Sequence, residues 1–119
     1  MATLKVSVIF PSGARLGPGK ARLLQSIRDT GSISAAARGM GMSYKQAWLL
    51  LDSLNQSFGE PLVAASAGGR RGGGAALTGF GAEVLERYMR IVRAAEGAAA
   101  DDLDALERAQ SASGPATLR

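Results

Sequence analysis

Leu4, Val6, Val8 and Phe10 alternate with Lys5, Ser7 and Ile9 until Pro11-Ser12-Gly13 ends the pattern, and this period of two predicts one short strand buried on one face. The period then changes. Beyond Gly17-Pro18-Gly19, Leu23, Leu24 and Ile27 recur at helical spacing, and Pro18 is tolerated in a first turn where its missing N–H would have no partner. This helix is expected to stop near Gly31. A second, short helix fits Ile33 to Arg38, with Ser32 as its cap and Ala35, Ala36 and Ala37 small enough for a neighbouring helix to approach closely.

Gly39-Met40-Gly41-Met42 interrupts that helix, and Ser43 followed three residues later by Gln46 has the form of a capping box. Ala47, Leu50, Leu51 and Leu54 follow on one face, so a third helix is expected from Ser43 to about Gln56. After Gly59-Glu60-Pro61 come the apolar Leu62 to Ala65, then a stretch from Gly68 to Gly74 in which five of seven residues are glycine, then Ala75-Ala76-Leu77. Such a glycine run is unsuited to an element interior. The expected structure is a hairpin whose flexible tip carries Arg70 and Arg71, a small basic wing.

Thr78 is positioned to cap a long last helix, with Glu83 and Glu86 in its early turns near the positive end of the helix dipole. Leu85, Met89, Val92, Glu96, Ala99, Leu103 and Leu106 keep a four-three spacing, and Val84, Tyr88, Ile91, Ala95 and Ala98 form an adjacent stripe. A small core cannot cover both stripes over such a length, so homodimerisation is expected through Leu85, Met89, Val92, Leu103 and Leu106. Gly97 is expected to weaken the helix by about 1 kcal/mol relative to alanine and to mark a bend. The domain is thus drawn over residues 1–110, with the dimerisation helix at about 78–109 and a flexible tail over 111–119.

Composition narrows the chemistry. The 119 residues contain neither cysteine nor histidine, which removes disulfides, thiolate or imidazole metal sites and histidine-based acid–base catalysis. Asp101, Asp102, Asp104 and Glu107 scatter around a helix end without the spacing of a calcium loop. The glycine run lacks the Gly-Lys-Ser or Gly-Lys-Thr of a phosphate loop. No cofactor, no metal and no enzymatic activity are expected. With no secretory signal pattern and no run of eighteen apolar residues, the expected location is cytoplasmic, away from any membrane.

The net charge is +4, but residues 1–77 hold nine basic and three acidic side chains while residues 78–119 hold five and seven. The basic surface therefore belongs to the first two thirds, where it favours a polyanion. Two short helices across a glycine-containing turn, the second strongly capped, followed by a basic hairpin, make a winged helix-turn-helix: mainly α with a small β wing. The second of these helices can enter the major groove of double-stranded DNA by its N-terminal end, presenting Tyr44, Lys45, Gln46 and Trp48 opposite its buried face. Lys45 suits phosphate or guanine, and the two-sided amide of Gln46 suits adenine. Ser32 and Ser34, at the start of the preceding helix, are placed to hold a phosphate. Arg70 and Arg71 would add salt-dependent affinity along the backbone or minor groove. Tyr44 either points outward or packs as a staple on the turn. Trp48 is either a core or subsurface residue, as the sole tryptophan of a small domain commonly is, or a base contact. Leu49-Leu50-Leu51 puts a leucine where a polar base reader could stand.

Gly31-Ser32-Ile33-Ser34-Ala35-Ala36-Ala37, then Met40-Gly41-Met42-Ser43-Tyr44-Lys45-Gln46-Ala47-Trp48, then the glycine-rich wing and Leu77-Thr78 resemble the N-terminal DNA-binding domain of the molybdate-responsive ModE regulators, itself related to the LysR-type winged helix. The resemblance spans roughly residues 3–95. It implies a winged helix that dimerises through its last helix on a palindromic operator, with Ser43, Tyr44, Lys45 and Trp48 in the recognition motif and Arg70 and Arg71 on the wing. Family members continue into C-terminal β-barrel domains that bind molybdate, and this chain ends before them, so the resemblance supports DNA binding better than oxyanion sensing. The expected function is a homodimeric, sequence-specific DNA-binding transcriptional regulator. The alternative is a winged-helix protein-interaction module docking through its last helix.

Overall fold

A computed structural model describes residues 1–66 and 74–113. The N-terminal alternation is visible as alternating exposure over residues 4–10, but the hydrogen-bonded part is short. Strand β1 (Val8–Ile9) pairs antiparallel with β2 (Arg15–Leu16), a partner the sequence pattern did not reveal. The reversal is closed by Phe10 N–H donating to the Ala14 carbonyl at 2.9 Å, with Gly13 at φ 92°, where a Cβ would be strained.

Helix α1 (Pro18–Thr30) begins with proline at its first position and ends on Gly31, whose φ of 69° gives the left-handed cap and whose N–H donates to the Ile27 carbonyl. Helix α2 (Ile33–Gly39) starts where Ser32 Oγ accepts from Ala35 N–H at 3.1 Å. Helix α3 (Tyr44–Ser57) starts with the complete capping box: Ser43 Oγ accepts from Gln46 N–H at 3.1 Å, and Gln46 Oε1 accepts from Ser43 N–H at 3.0 Å.

Strands β3 (Val63–Ser66) and β4 (Gly74–Leu77) pair antiparallel, Val63 opposite Leu77 and Ser66 opposite Gly74. The hairpin is anchored to the helices by Ala75 N–H donating to the Gly31 carbonyl at 2.9 Å and by a bridge between Ser32 and Gly74. Arg70 and Arg71 lie outside the described residues. Helix α4 (Gly79–Ser113) is capped by Thr78 Oγ1, which accepts from Gly81 N–H at 2.9 Å. It continues through Gly97 without interruption and ends at Ser113 rather than near residue 109, so residues 111–113, expected in the tail, belong to the helix.

The core is built where α1, α2 and α3 meet the start of α4 and the root of the hairpin. Leu23, Leu24 and Ile27 of α1, Ala36 and Ala37 of α2, Ala47, Leu51 and Leu54 of α3, Leu62, Val63 and Ala75 of the hairpin, and Val84, Leu85 and Tyr88 of α4 are all buried. Their apolar area leaves water together, which is the main drive for this arrangement. Edge-to-face contacts from Phe58 to Phe10 and to Phe80, with centroids 5.6 and 5.8 Å apart, tie the end of α3 to β1 and to α4.

Candidate nucleic-acid interface

The capping box fixes the direction in which α3 leaves the turn. Helical geometry then sets Ala47, Leu51 and Leu54 into the core and turns the opposite flank outward. Lys45 and Gln46 are exposed on that flank. Tyr44 is 53% exposed and Trp48 44% exposed, one turn apart, with their rings edge to face at 6.3 Å. Both side chains line a cleft of about 250 Å³ between α3 and the hairpin, together with Ile33, Val63 and Ala64. Tyr44 therefore points outward, and Trp48 is a surface residue leaning on its neighbour.

Gln46 also serves the fold: its carbonyl oxygen accepts in the capping box, while its NH₂ and the second lone pair of that oxygen remain for other partners. Ser32 caps α2: its hydroxyl accepts from Ala35 N–H, which leaves the O–H to donate, and its own N–H donates to Thr30 Oγ1 at 3.3 Å. Ser34 is exposed on the first turn of α2.

One residue absent from the sequence argument shapes the site. Asn55 Oδ1 accepts from Leu62 N–H at 2.8 Å and Val63 N–H at 3.4 Å, pinning the root of the wing to the last turns of α3. An asparagine inside a helix with its amide turned away from the helix backbone gives no signal in sequence. Leu49, expected where a polar base reader could stand, is 61% exposed on the outer flank of α3. On α4, Leu85 is 2% exposed and belongs to this chain's own core, so it is not available to a second copy. Met89, Val92 and Leu103 are half-buried and Leu106 is 67% exposed.

The charge of this face is basic. Lys45 on α3 and Arg38 on α2 are exposed, while the exposed Arg28 of α1 stands 3.0 Å from Asp29. The exposed cations of the middle of α4 likewise stand beside carboxylates: Arg87 lies 3.8 Å from Glu83, and Arg90 and Arg93 each lie 3.4 Å from Glu86. No helix among the described residues is long and apolar enough to cross a membrane.

Residues 19–82 match the family model described as bacterial regulatory helix-turn-helix protein, lysR family. The chain is 45% identical over 84 residues to the molybdenum-pterin-binding protein MopB of Rhodobacter capsulatus, a match covering 71% of this chain and 31% of that protein. It is 39% identical over 83 residues to the transcriptional regulator ModE of Haemophilus influenzae, covering 70% of this chain and 32% of that one. It thus spans about a third of the length of these relatives. The fold is similar to that in the crystal structure of the CbnR DNA-binding domain with DNA, with a TM-score of 0.58 and 24% identity over 76% of this chain and 97% of that chain.

Proposed function

Because the chain belongs to the LysR family of bacterial regulatory helix-turn-helix proteins, we propose that it is a transcriptional regulator that binds double-stranded DNA as a homodimer. In this reading the N-terminal end of α3 enters the major groove, Lys45 contacts a phosphate or a guanine edge, and Ser34 and the wing arginines hold the backbone. The carrying observation is the exposed outer flank of α3, which this chain's own long helix leaves uncovered. Its basic surroundings complement the phosphate charge.

The half-buried and exposed apolar side chains of α4 supply the surface between protomers, and two recognition helices related by a two-fold axis would meet a palindromic operator with half-sites about one helical turn apart. The protein is read as a cytoplasmic binder with no catalytic role. The names of its relatives link it to molybdenum, which makes molybdate the effector to examine first, although no residue of this chain is assigned to it.

Titration of labelled genomic fragments at several salt concentrations, with and without molybdate, tests the proposal. The expected result is a sequence-selective complex whose affinity falls steeply as salt rises. An affinity indifferent to salt, or equal for all fragments, contradicts it.

A further inference from the structure

Seven large apolar side chains are well exposed among the described residues, and three of them, Tyr44, Trp48 and Leu49, fall within the first two turns of α3. A single exposed leucine carries no message. A concentration of three at one helix end is different, because it leaves apolar area in water at the position proposed to meet another molecule.

The three are not equivalent. Tyr44 and Trp48 lean on each other beside the wing cleft. Leu49 lies on the other side of α3, above a shallow hollow whose remaining lining is Ser12, Ala14, Asp52, Ser53, Gln56 and Ser57. Its branched end therefore has almost no apolar neighbour within its own chain. It follows Lys45 by one turn, so a duplex close enough for Lys45 to touch also brings base edges to Leu49.

The major groove offers a leucine one apolar partner, the C5 methyl of thymine. Apart from the small C–H groups of cytosine and the purines, which lack a methyl's area, the other groups on the base edges there are hydrogen-bond donors or acceptors that an isobutyl group would desolvate without answering. We propose that Leu49 is a specificity-determining residue that selects a thymine in each half-site through that methyl. This inference rests on the DNA-binding reading above and adds to it the chemistry of one base position.

The test begins by selecting a preferred duplex from a random pool with the unaltered protein, then replacing each thymine in turn by deoxyuridine, which removes the methyl and keeps the pairing. At one thymine per half-site the replacement is expected to weaken binding roughly three- to five-fold, the effect of withdrawing one methyl-sized group from an apolar contact. Leu49→Ala is expected to bind the thymine and deoxyuridine forms equally, with an unchanged salt slope and melting temperature, since Leu49 is exposed and alanine suits a helix. Leu49→Gln, which puts an amide in the same place, is expected to select adenine there instead.

A selected site without thymine, indifference of the unaltered protein to every deoxyuridine, retained methyl sensitivity in Leu49→Ala, or retained thymine preference in Leu49→Gln each overturns the proposal while leaving DNA binding intact. Failure to bind any duplex even at low salt overturns the DNA-binding reading itself.

Discussion

Tyr88 lies on the inner side of α4, 4% exposed, with its hydroxyl donating to the Val6 carbonyl at 2.6 Å. Burial raises its pKa above the ordinary 10.0 by disfavouring the phenolate. Below pH 10.0 the folded and unfolded chains both hold the proton and this contribution is constant. Above it the unfolded chain releases its proton first, so stability falls as pH rises until the folded phenol ionises as well. Tyr88→Phe is expected to cost about 1 kcal/mol at neutral pH, the net worth of a hydrogen bond, and to remove this part of the alkaline loss; urea melts across that range read both. Gly81 carries a different constraint. A Cβ there would overlap the Leu62 carbonyl and come within 2.8 Å of its carbon, both backbone atoms at the root of the wing. Gly81→Ala is therefore expected to destabilise by about 1–3 kcal/mol through forced backbone movement, seen as a lower melting temperature. Neither residue stood out in the sequence. Tyr88 read only as one member of an apolar stripe, and the need for glycine at 81 arises from a segment about twenty positions away.

The elements themselves were largely legible, because their ends are written in local chemistry. Ser32, the Ser43–Gln46 box and Thr78 each satisfy orphan N–H groups within three residues, and Gly31 supplies a left-handed cap. Two things were not local. Strand β2 has only two residues, too few to show a period, and exists because the turn at Gly13 folds it onto β1. The coupling of α3 to the wing depends on Asn55 meeting Leu62 and Val63. Asn55→Ala would leave two backbone donors without this partner and is expected to cost about 1–3 kcal/mol, with amide exchange accelerating in β3 before α1. The division of labour between reading and holding DNA is an element-scale prediction as well. Lys45→Ala should narrow the gap between preferred and random duplexes, whereas Arg70→Ala with Arg71→Ala should weaken binding to all sequences and flatten the salt slope. Competition assays at several salt concentrations separate the two.

At the scale of the whole molecule, a radius of gyration of 18.0 Å and extents of 59 × 28 × 25 Å exceed the radius of about 13–14 Å that a compact chain of this length would have. Helix α4, with 35 residues, is the cause: at a rise of about 1.5 Å per residue it runs well past the core formed by the other elements. Its buried residues end at Tyr88, while Ile91 is 45% and Leu106 is 67% exposed. The ion pairs along it are exposed and contribute little to stability. If this helix joins two protomers, Ile91→Glu with Leu106→Glu should shift sedimentation toward monomer and abolish the advantage of a two-half-site duplex over a single half-site. The melting temperature should change little, since neither side chain is part of the core. Full dimers with both substitutions would remove α4 from the interface.

Sequence by itself determined what depends on neighbours a few residues apart: the caps and stops of the helices, the alternation of the N-terminal segment, the hairpin around its glycine run, and the split of charge between the two parts of the chain. Those features need only hydrogen-bond accounting and periodicity, both of which are complete within a turn or two. Tertiary structure decided which surfaces remained after folding. It put Leu85 inside and left Leu106 outside although both belong to one stripe, engaged the Gln46 carbonyl in a cap, and left Trp48 and Leu49 exposed on the outer flank of α3. The physical reason is that burial is a property of the space between elements, and that space is set only when every element has found its partner.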